Sequence, residues 1–400
     1  MTRGRWGAAL AALWMLLAAA PAGAAERPVV SAPSAIVVDE RTGDVLFQKA
    51  PDSERSIAST TKLMTALLTL ERAAPTDVFR AADYRAGAIE SKIGLRPGER
   101  MRVQDLLVAL LLESANDAAV TLAEGVSGSR EQFVADMNAR AAALGLDGTS
   151  YANPIGLDDP DNHSSARDLA TLARLLLRNE RFAEIVDRPV ATLRSGARRR
   201  TLANRNRLVR TYPFVDGVKT GHTHSAGYVL VGSATRGGAS VVSVVLGTPS
   251  EAARDADSLT LLDWGLDRFR RVRAVRAGRA LRSAAVKHFD GRRVGLEAGR
   301  SVALTVRRGA RVTTRVDAPD ELEGPLPAGR RVGTAVVLVN GKPAARVPLV
   351  TASAVPEAGF IRRSGHAIGW AVAFAVLAAA VLVTVLYRGS RSRRRGGVAT

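Results

Sequence analysis

The strand-forming segments of the first 270 or so residues lie at the two ends of a long helical region, and this separation limits the folds open to the chain. Residues 34–49 hold two β-branched runs around the turn sequence DERTGD, which predicts a hairpin. A second hairpin is predicted from Tyr228–Ala234 and Ala239–Leu246, joined by TRGG. Strands so distant in sequence share a sheet only if the two ends of the domain come together. The helices between them then pack on the faces of that sheet. Helical periodicity is found at Ser59–Leu70, Val103–Leu112, Ala115–Gly125, Arg130–Leu144, Ala166–Leu177 and Asp257–Phe269.

A change of pattern marks a second domain. From Val272 to Val350 short apolar runs are divided by Gly, Pro and Arg, and the pair Asn340-Gly341 is typical of a tight hairpin turn. Strands are expected at Ser301–Val306, Val312–Val316 and Thr334–Val339. We therefore predict a larger domain of strands and helices over residues 26–267, a small all-β domain over 268–350 and a linker over 351–365.

The two ends of the chain indicate export and a membrane anchor. Arg3 and Arg5 precede an apolar run and an Ala-x-Ala site, which predicts a signal peptide over residues 1–25. Residues 366–387 contain no Asp, Glu, Lys or Arg and would span about 33 Å as a helix. The arginine-rich tail 388–400 would stay on the cytoplasmic side. We expect a single-pass protein of the cell membrane with its main domain outside the cytoplasm.

The net charge of +19 is unevenly distributed. Residues 1–267 carry 31 basic and 31 acidic residues, whereas residues 268–363 carry 21 against 7 and the tail adds five arginines. An exported chain meets no genome, so nucleic acid is not expected as a partner, and the basic segment has two open explanations. It contacts anionic lipid or wall polymer, or it reflects a coding bias toward Arg. The absence of cysteine excludes disulfides, thiolate catalysis and Cys-ligated zinc.

The first chemical motif is Ser59-Thr60-Thr61-Lys62 at the predicted start of a helix. Residues three apart share a helix face, so the Lys62 amine can reach the Ser59 hydroxyl and accept its proton if its pKa is lowered. Backbone N–H groups at a helix start also favour developing negative charge. Alone the motif is common, and a serine opening a helix is usually a cap.

Two further motifs follow in the chain. Ser114-Ala115-Asn116 lies between two helical runs, where it is either a helix cap or a loop presenting a hydroxyl and an amide to a cleft. Lys219-Thr220-Gly221 precedes the Tyr228 strand, where the lysine either attracts a substrate carboxylate or is a solubilising charge. The glycine would let substrate lie close to the strand backbone.

Taken together, the three motifs resemble the penicillin-binding and serine β-lactamase superfamily, whose motif set is a known example of serine acyl-transfer chemistry. The wider segments resemble the D-alanyl-D-alanine carboxypeptidase family in particular, the low-molecular-mass serine penicillin-binding proteins. They are IASTTKLMT at 57–65, ESANDA at 113–118, VDGVKTGHT at 215–223, GLD at 156–158, SSARD at 164–168 and NRN at 204–206. The resemblance implies an α/β (α+β) domain with an antiparallel sheet and a helical cluster, followed by the β domain and a C-terminal transmembrane helix.

The resemblance also implies roles. Ser59 would attack the carbonyl between the two terminal D-alanines of a peptidoglycan stem pentapeptide, and β-lactam antibiotics would acylate the same residue. The backbone N–H groups of Ser59 and His222 would form the oxyanion hole. No cofactor or metal is implied. One departure is His224-Ser225, which stands where the family usually has an acidic residue and alanine. The catalytic residues would be Ser59, Lys62, Ser114 and Asn116, and the substrate-binding residues Lys219, Thr220, Gly221, His222 and Arg254.

Other activities remain open from sequence. A β-lactamase would need a glutamate to activate water, and residues 151–170 contain none. A cross-linking transpeptidase usually carries a large domain ahead of its nucleophile, and only a short segment precedes Ser59 here. A D,D-endopeptidase would use the same site on cross-linked peptide, and a non-catalytic wall-binding protein would keep a vestigial one. The intact motif residues favour a serine D-alanyl-D-alanine carboxypeptidase.

Overall fold

The computed structural model describes residues 27–395, so the predicted signal peptide lies outside the described residues. The chain forms two compact units that separate after Asp267, with the turn Gly237–Ala239 grouped with the second unit. This boundary coincides with the sequence pattern, which changes after the last helix of the first unit.

The first unit is built on a five-stranded antiparallel sheet with the order β2-β1-β11-β10-β9. Strand β1 pairs with β11, with Ile36 opposite Val244, so the two ends of the helical region share one sheet as predicted. Four short strands form the hairpin β7–β8 and the pair β4–β5, and β3 pairs with β6. The strands are β1 (Ser34–Asp39), β2 (Val45–Lys49), β3 (Arg55–Ser56), β4 (Val78–Arg80), β5 (Arg100–Arg102), β6 (His163–Ser164), β7 (Val190–Leu193), β8 (Arg200–Ala203), β9 (Val215–Thr223), β10 (Gly227–Arg236) and β11 (Ala239–Thr248).

Helices pack on this sheet around one large apolar core. Serine or asparagine side chains cap several of them by accepting from a backbone N–H of the first turn, as at Ser165 and Ser250. The cap at Ser250 explains one difference from the sequence pattern, because the last helix begins at Glu251 and not at the predicted Asp257. The helices are α1 (Lys62–Arg72), α2 (Val103–Val108), α3 (Asn116–Ser127), α4 (Arg130–Ala143), α5 (Ala166–Leu177), α6 (Glu180–Val186), α7 (Arg207–Thr211) and α8 (Glu251–Leu266).

Helix α5 shows why these segments fold as they do. Its Leu169, Leu172 and Leu176 recur at helical spacing, and all are at most 1% exposed. Burying each such leucine contributes roughly 1.5–3 kcal/mol to stability relative to an exposed side chain. The polar side of the helix carries Arg167 and Arg174, which bond to Asp52 and to the backbone of Glu40. The amphipathic pattern therefore fixes which face of α5 covers the sheet.

The second unit is rich in β structure, as predicted. Its largest sheet has the order β16-β18-β19-β14-β13-β17, and β12 pairs with β15. Asn340 and Gly341 both have positive φ angles, 49° and 80°, and turn β18 into β19. The strands are β12 (Phe269–Val275), β13 (Ala280–Val286), β14 (Arg293–Ala298), β15 (Val302–Arg307), β16 (Val312–Asp317), β17 (Glu321–Leu322), β18 (Arg331–Val339) and β19 (Lys342–Thr351).

The segment after β19 differs in part from the predicted linker 351–365. Val355 makes a bridge to Leu326, and the long helix α9 (Phe360–Arg395) begins before the predicted span at 366. Helix-forming residues flank the apolar stretch, so the helix extends beyond it. Within α9, Gly369–Arg388 is long and apolar enough to cross a membrane, and none of that stretch is buried against the described chain.

Candidate active site

Ser59 and Lys62 lie on adjoining turns at the junction of a short 3-10 turn and α1. The sequence pattern predicts one helix from Ser59, whereas Ala58–Thr61 form the 3-10 turn and α1 begins at Lys62. Ala58 has a φ of 48°, a conformation that non-glycine residues rarely adopt. Lys62 Nζ donates to Ser59 Oγ at 3.0 Å. The structure therefore places the amine and the hydroxyl in the contact that the motif predicts.

The environment of Lys62 changes its acidity. The side chain is fully buried, and its Nζ also donates a short hydrogen bond to the backbone carbonyl of Ile155. Burial lowers the pKa of Lys62 to about 7, while Glu90 raises it and Arg205 lowers it further. Removing an ammonium from water disfavours its charged form, which explains the direction. An amine with this pKa can serve as a proton acceptor near neutral pH.

Ser114 and Lys219 form a second amine–hydroxyl pair. Ser114 follows a π-helical turn, Ala109–Glu113, and has a left-handed conformation with a φ of 62°. Lys219 Nζ donates to Ser114 Oγ at 2.9 Å and to the carbonyl of Thr220 at 2.8 Å. Burial, followed by repulsion from Lys62, lowers the pKa of Lys219 well below its ordinary value. Of the two interpretations of Ser114, the structure therefore agrees with a loop residue whose hydroxyl contacts Lys219. The Ser114 side chain does not cap α3.

Asn116 is held by a carboxylate that the sequence motifs do not include. Its Nδ2 donates to Glu90 Oε2 at 2.6 Å, and the Tyr84 hydroxyl donates to the same oxygen. Burial raises the pKa of Glu90, but these two hydrogen bonds and one from the Gly87 N–H outweigh it and lower the pKa overall. A negative charge therefore lies near the Lys62 amine, in a loop outside residues 151–170.

Strand β9 brings the third motif close to Ser59. It is an edge strand of the main sheet, and the sequence pattern does not predict it because glycines interrupt its apolar alternation. A Cβ on Gly221 would lie 2.9 Å from the Ser59 backbone nitrogen and 2.7 Å from Val229. Only glycine permits this approach. The next residue, His222, stacks its ring on Tyr228, with centroids 4.0 Å apart.

Two cavities meet at Ser59. The smaller, of about 500 Å³, is lined by Thr220 and by several arginines. The larger, of about 1230 Å³, extends along the loop 155–158 and the turn between β9 and β10. Both are lined by Ser59, His222 and Tyr228. The arginines that line the smaller cavity are Arg205, Arg207, Arg210 and Arg254.

The arginines of the smaller cavity differ in their partners. Arg254 is 4% exposed and bonds to Glu251 and Asp255. Arg205, which sequence reasoning does not place among the site residues, bonds to Glu113 at 2.6 Å. Its charge also lowers the pKa values of the two catalytic-motif lysines. The surplus of positive charge beside Thr220 suits a carboxylate ligand.

His224 lies in the turn between β9 and β10 and lines the larger cavity. A carboxylate lies beside His224 even though the turn itself has no acidic residue. It belongs to Asp158, which accepts hydrogen bonds from the Thr223 hydroxyl and the Ser225 N–H. Burial raises the pKa of Asp158, but these hydrogen bonds and the nearby His224 lower it overall. Among residues 27–395, no group of three or more His, Asp or Glu side chains is placed to hold a metal ion.

Comparison with known proteins identifies the family. The family model described as D-alanyl-D-alanine carboxypeptidase matches residues 22–250. The chain belongs to the D-alanyl-D-alanine carboxypeptidase family. A second model, described as the penicillin-binding protein 5 C-terminal domain, matches residues 269–357 and accounts for the second unit of the fold.

Relatives span both units. The chain is 33% identical to D-alanyl-D-alanine carboxypeptidase DacF of Bacillus subtilis, over 82% of this chain and 87% of that protein. It is 33% identical to D-alanyl-D-alanine carboxypeptidase DacA of Escherichia coli, over 83% and 86%. Among solved structures, penicillin-binding protein 5 from Haemophilus influenzae is similar with a TM-score of 0.59 and 32% identity, over 83% of this chain and 99% of that chain. These likenesses confirm the predicted fold class and family.

Proposed function

We propose that this chain removes the terminal D-alanine from peptidoglycan stem pentapeptides through an acyl-enzyme on Ser59, and that penicillin acylates the same hydroxyl. The observation that carries the proposal is the 3.0 Å contact between Lys62 Nζ and Ser59 Oγ, with the amine buried and its pKa lowered to about 7. Membership of the D-alanyl-D-alanine carboxypeptidase family supports the reaction type.

The acylation step follows from this contact. Neutral Lys62 accepts the Ser59 proton as Oγ attacks the carbonyl carbon of the penultimate D-alanine. The oxyanion that forms accepts hydrogen bonds from the backbone N–H groups of Ser59 and His222, a contribution of about 3–4 kcal/mol for a single such donor in other enzymes. The proton then passes to the leaving amine, and the peptide C–N bond breaks. Terminal D-alanine departs, and the remaining peptide stays esterified to Ser59.

In deacylation, water is the nucleophile and Ser59 is the leaving group. A water molecule gives its proton to Lys62 and attacks the ester carbonyl, and the proton returns to Ser59 Oγ as the ester bond breaks. Ser114 lies between the two lysines in this scheme and relays protons, since it bonds directly to Lys219. Asn116, oriented by Glu90, holds the peptide.

The substrate carboxylate would occupy the smaller cavity. Thr220 and Arg254, which line this cavity, bind the carboxylate, and Lys219 orients it through Ser114. Gly221 lets the peptide lie against β9. The larger cavity takes the stem peptide. The proposed substrate thus has a carboxylate next to the scissile bond, within reach of the arginines of the smaller cavity.

We also propose that α9 anchors the protein in the cell membrane, with the first unit outside the cytoplasm. The apolar stretch Gly369–Arg388 supports the anchor, and the arginines after it support the orientation. The charge distribution and the predicted export also favour a protein that binds no nucleic acid.

The deciding experiment is release of D-alanine from a stem pentapeptide by the full-length protein in a neutral detergent. We expect one D-alanine per pentapeptide, and no release from the tetrapeptide product. Release of D-alanine from neither substrate, with cleavage of cross-linked dimers, would support the endopeptidase alternative. No covalent penicillin adduct and no cleavage would support a non-catalytic wall-binding protein.

A further inference from the structure

A third cavity, away from Ser59, lies beside the β7–β8 hairpin. It has a volume of about 780 Å³, and neither Ser59 nor any other motif residue lines it. Residues 188–210, which include the hairpin, hold eight arginines and no acidic residue. Since residues 1–267 as a whole are balanced at 31 basic and 31 acidic, the rest of that segment carries a net charge of 23 − 31 = −8. This short segment of the sequence therefore has a strong local excess of basic residues. The eight are Arg188, Arg194, Arg198, Arg199, Arg200, Arg205, Arg207 and Arg210.

The cavity is lined by five arginines and one carboxylate, a formal charge of 5 − 1 = +4. The carboxylate, Asp105, is already engaged, because it accepts from the backbone N–H groups of Arg194 and Ser195 and from the Ser195 hydroxyl. It therefore fixes the hairpin and does not neutralise a guanidinium. The five arginines are Arg102, Arg188, Arg194, Arg198 and Arg199.

Most of these guanidinium groups lack an acidic partner. Arg188 lies 3.6 Å from Glu184, and Arg198 donates to the backbone carbonyl of Ile93. Within residues 27–395, the side chains of Arg102, Arg194 and Arg199 make no hydrogen bond or ion pair. Clustered unpaired arginines repel one another and gain free energy when an anion binds between them.

Buried contacts hold the backbone of the hairpin, so the Cα positions of its arginines are fixed relative to one another. Arg200 at the start of β8 is buried and bonds through two nitrogens to Glu99, at 2.8 and 3.0 Å. The tip is pressed against the neighbouring strand, because a Cβ on Gly196 would lie 2.4 Å from Met101 Sδ. A preorganised site loses less entropy on binding than a flexible one.

We propose that this cavity binds a linear polymer that carries repeated phosphate groups, such as an anionic polymer of the cell envelope. Guanidinium groups match phosphate oxygens in charge and in fork geometry. The cavity is far larger than one phosphate and its arginines come from both the hairpin and the end of β5, so several anionic groups of one chain fit better than a single ion. Its concave shape favours an inserted polymer over a flat bilayer surface.

The cavity lies close in sequence to the catalytic cleft, so a polymer bound there would affect where the cleft is held. Strand β8 (Arg200–Ala203) leads directly from the hairpin to Asn204 and Arg205, which line the smaller catalytic cavity. Arg205 follows Arg199 by six positions, which an extended chain spans in at most roughly 20 Å. A polymer bound at the hairpin would hold the catalytic cleft close to the envelope layer that carries it. This proposal is independent of the reaction at Ser59.

The test measures binding of linear polyphosphate to the full-length protein in neutral detergent by calorimetry. The cavity variant is Arg194→Gln with Arg199→Gln. The matched control is Arg80→Gln with Arg178→Gln, which removes the same charge at exposed positions outside the cavity. Each charge-assisted contact is worth about tenfold in affinity, so we expect the cavity variant to bind at least about tenfold more weakly and the control to change by less than about twofold. D-alanine release from a soluble pentapeptide should be unchanged in both.

Four results would overturn the proposal. Equal losses in both variants would show general charge attraction, and no loss in either would show that the cavity is not the site. Inorganic phosphate binding as tightly as polyphosphate would exclude a polymer as the ligand. In a parallel titration with micelles that contain an anionic phospholipid, binding that depends on Arg194 and Arg199 while polyphosphate does not bind would assign the cavity to the membrane surface.

Discussion

Lys62 Nζ lies 3.0 Å from Ser59 Oγ, and the amine has no contact with bulk water. The pairing depends on the loop that contains Ile155, whose carbonyl accepts a second hydrogen bond from the same amine. The hydroxyl and the amine are therefore positioned by residues from two separate parts of the chain, and burial of the amine also lowers its pKa.

The first prediction concerns the nucleophile. Ser59→Ala should abolish covalent capture of penicillin and leave the fold intact, because Ser59 faces the cleft and one hydroxyl contributes little to packing. Intact-mass spectrometry measures the adduct and circular dichroism the fold. Ser91→Ala, the same change in a residue that lines both cavities, is the control and should retain the adduct. An adduct on Ser59→Ala protein at any other serine would contradict the assignment.

The second prediction concerns pH. Only neutral Lys62 can accept the Ser59 proton, so the second-order rate of penicillin acylation should rise with pH and level off above about 7. Glu90 raises the pKa of Lys62 and Arg205 lowers it. Glu90→Gln should therefore move the rising limb to lower pH, and Arg205→Gln should move it to higher pH. Stopped-flow acylation with a fluorescent penicillin from pH 5 to 9 measures both. Shifts in the same direction for the two variants would argue against Lys62 as the titrating base.

The third prediction concerns the approach of β9 to Ser59. Gly221→Ala would place a methyl group 2.9 Å from the Ser59 nitrogen, so the strand must move away and the oxyanion hole must widen. Loss of one such donor costs about 100- to 1000-fold in rate in other enzymes. We expect a loss of this order in the acylation rate with little change in stability. Gly295→Ala, where an added Cβ meets only an ordinary 3.4 Å contact, is the matched strand-glycine control. Equal rates in both variants would remove the argument for close approach.

The fourth prediction concerns stability. The side chains of Glu99 and Arg200 are 3% and 6% exposed and form a two-point ion pair, which anchors the β7–β8 hairpin. Breaking a buried pair from one side costs about 3–5 kcal/mol, so Glu99→Gln should lower the free energy of unfolding by that order. Asp136→Asn, in the more exposed pair with Arg72, should cost about 0–1 kcal/mol. Urea unfolding measures both free energies. Similar small losses would show that the buried pair stabilises the fold no more than the exposed pair.

The same pair predicts a pH dependence. Burial raises the pKa of Glu99, but hydrogen bonds from Arg200 and from backbone N–H groups outweigh it and lower the pKa to about 2. A carboxyl whose pKa is lower in the folded state contributes stability above its ordinary pKa of about 4.5, and this contribution is lost as the pH falls toward 2. The difference in stability between wild type and Glu99→Gln should therefore shrink between about pH 4.5 and 2. A constant difference over that range would contradict the pKa assignment.

The fifth prediction concerns the anchor. Deleting Ile361–Thr400 should release a soluble and active enzyme, because every motif residue lies in the first unit. Cell fractionation and penicillin binding measure location and activity. If the truncated protein still sediments with membranes at high salt, the single-anchor model is wrong. Sedimentation at low salt alone would instead implicate the basic residues of 268–363, whose attraction to anionic surfaces is screened by salt.

The sequence alone determined many of the helices and strands and the class of chemistry. The periodicity of Ala166–Leu177 predicts α5 to the residue, and the turn pair Asn340-Gly341 marks the β18–β19 hairpin. The order of the three motifs is sufficient to assign the family. These features are local, since hydrophobic spacing, caps and turn residues act over a few neighbouring positions. The closing of the sheet through β1 and β11 also follows from sequence, because two hairpins must bury their apolar faces together.

The tertiary structure alone decided how the site works. Asn116 donates a hydrogen bond to Glu90, and Lys219 donates one to Ser114, which lies 105 positions away in the sequence. Local sequence spacing does not predict either contact. Gly221, one of the two glycines that interrupt the apolar pattern of β9, is required by the approach of this strand to Ser59. The lowered pKa of Lys62 is likewise a property of the packed domain, because desolvation comes from atoms that distant segments bring around the amine. The sequence identifies Lys62 as a candidate, and only its surroundings in the fold lower its pKa to about 7.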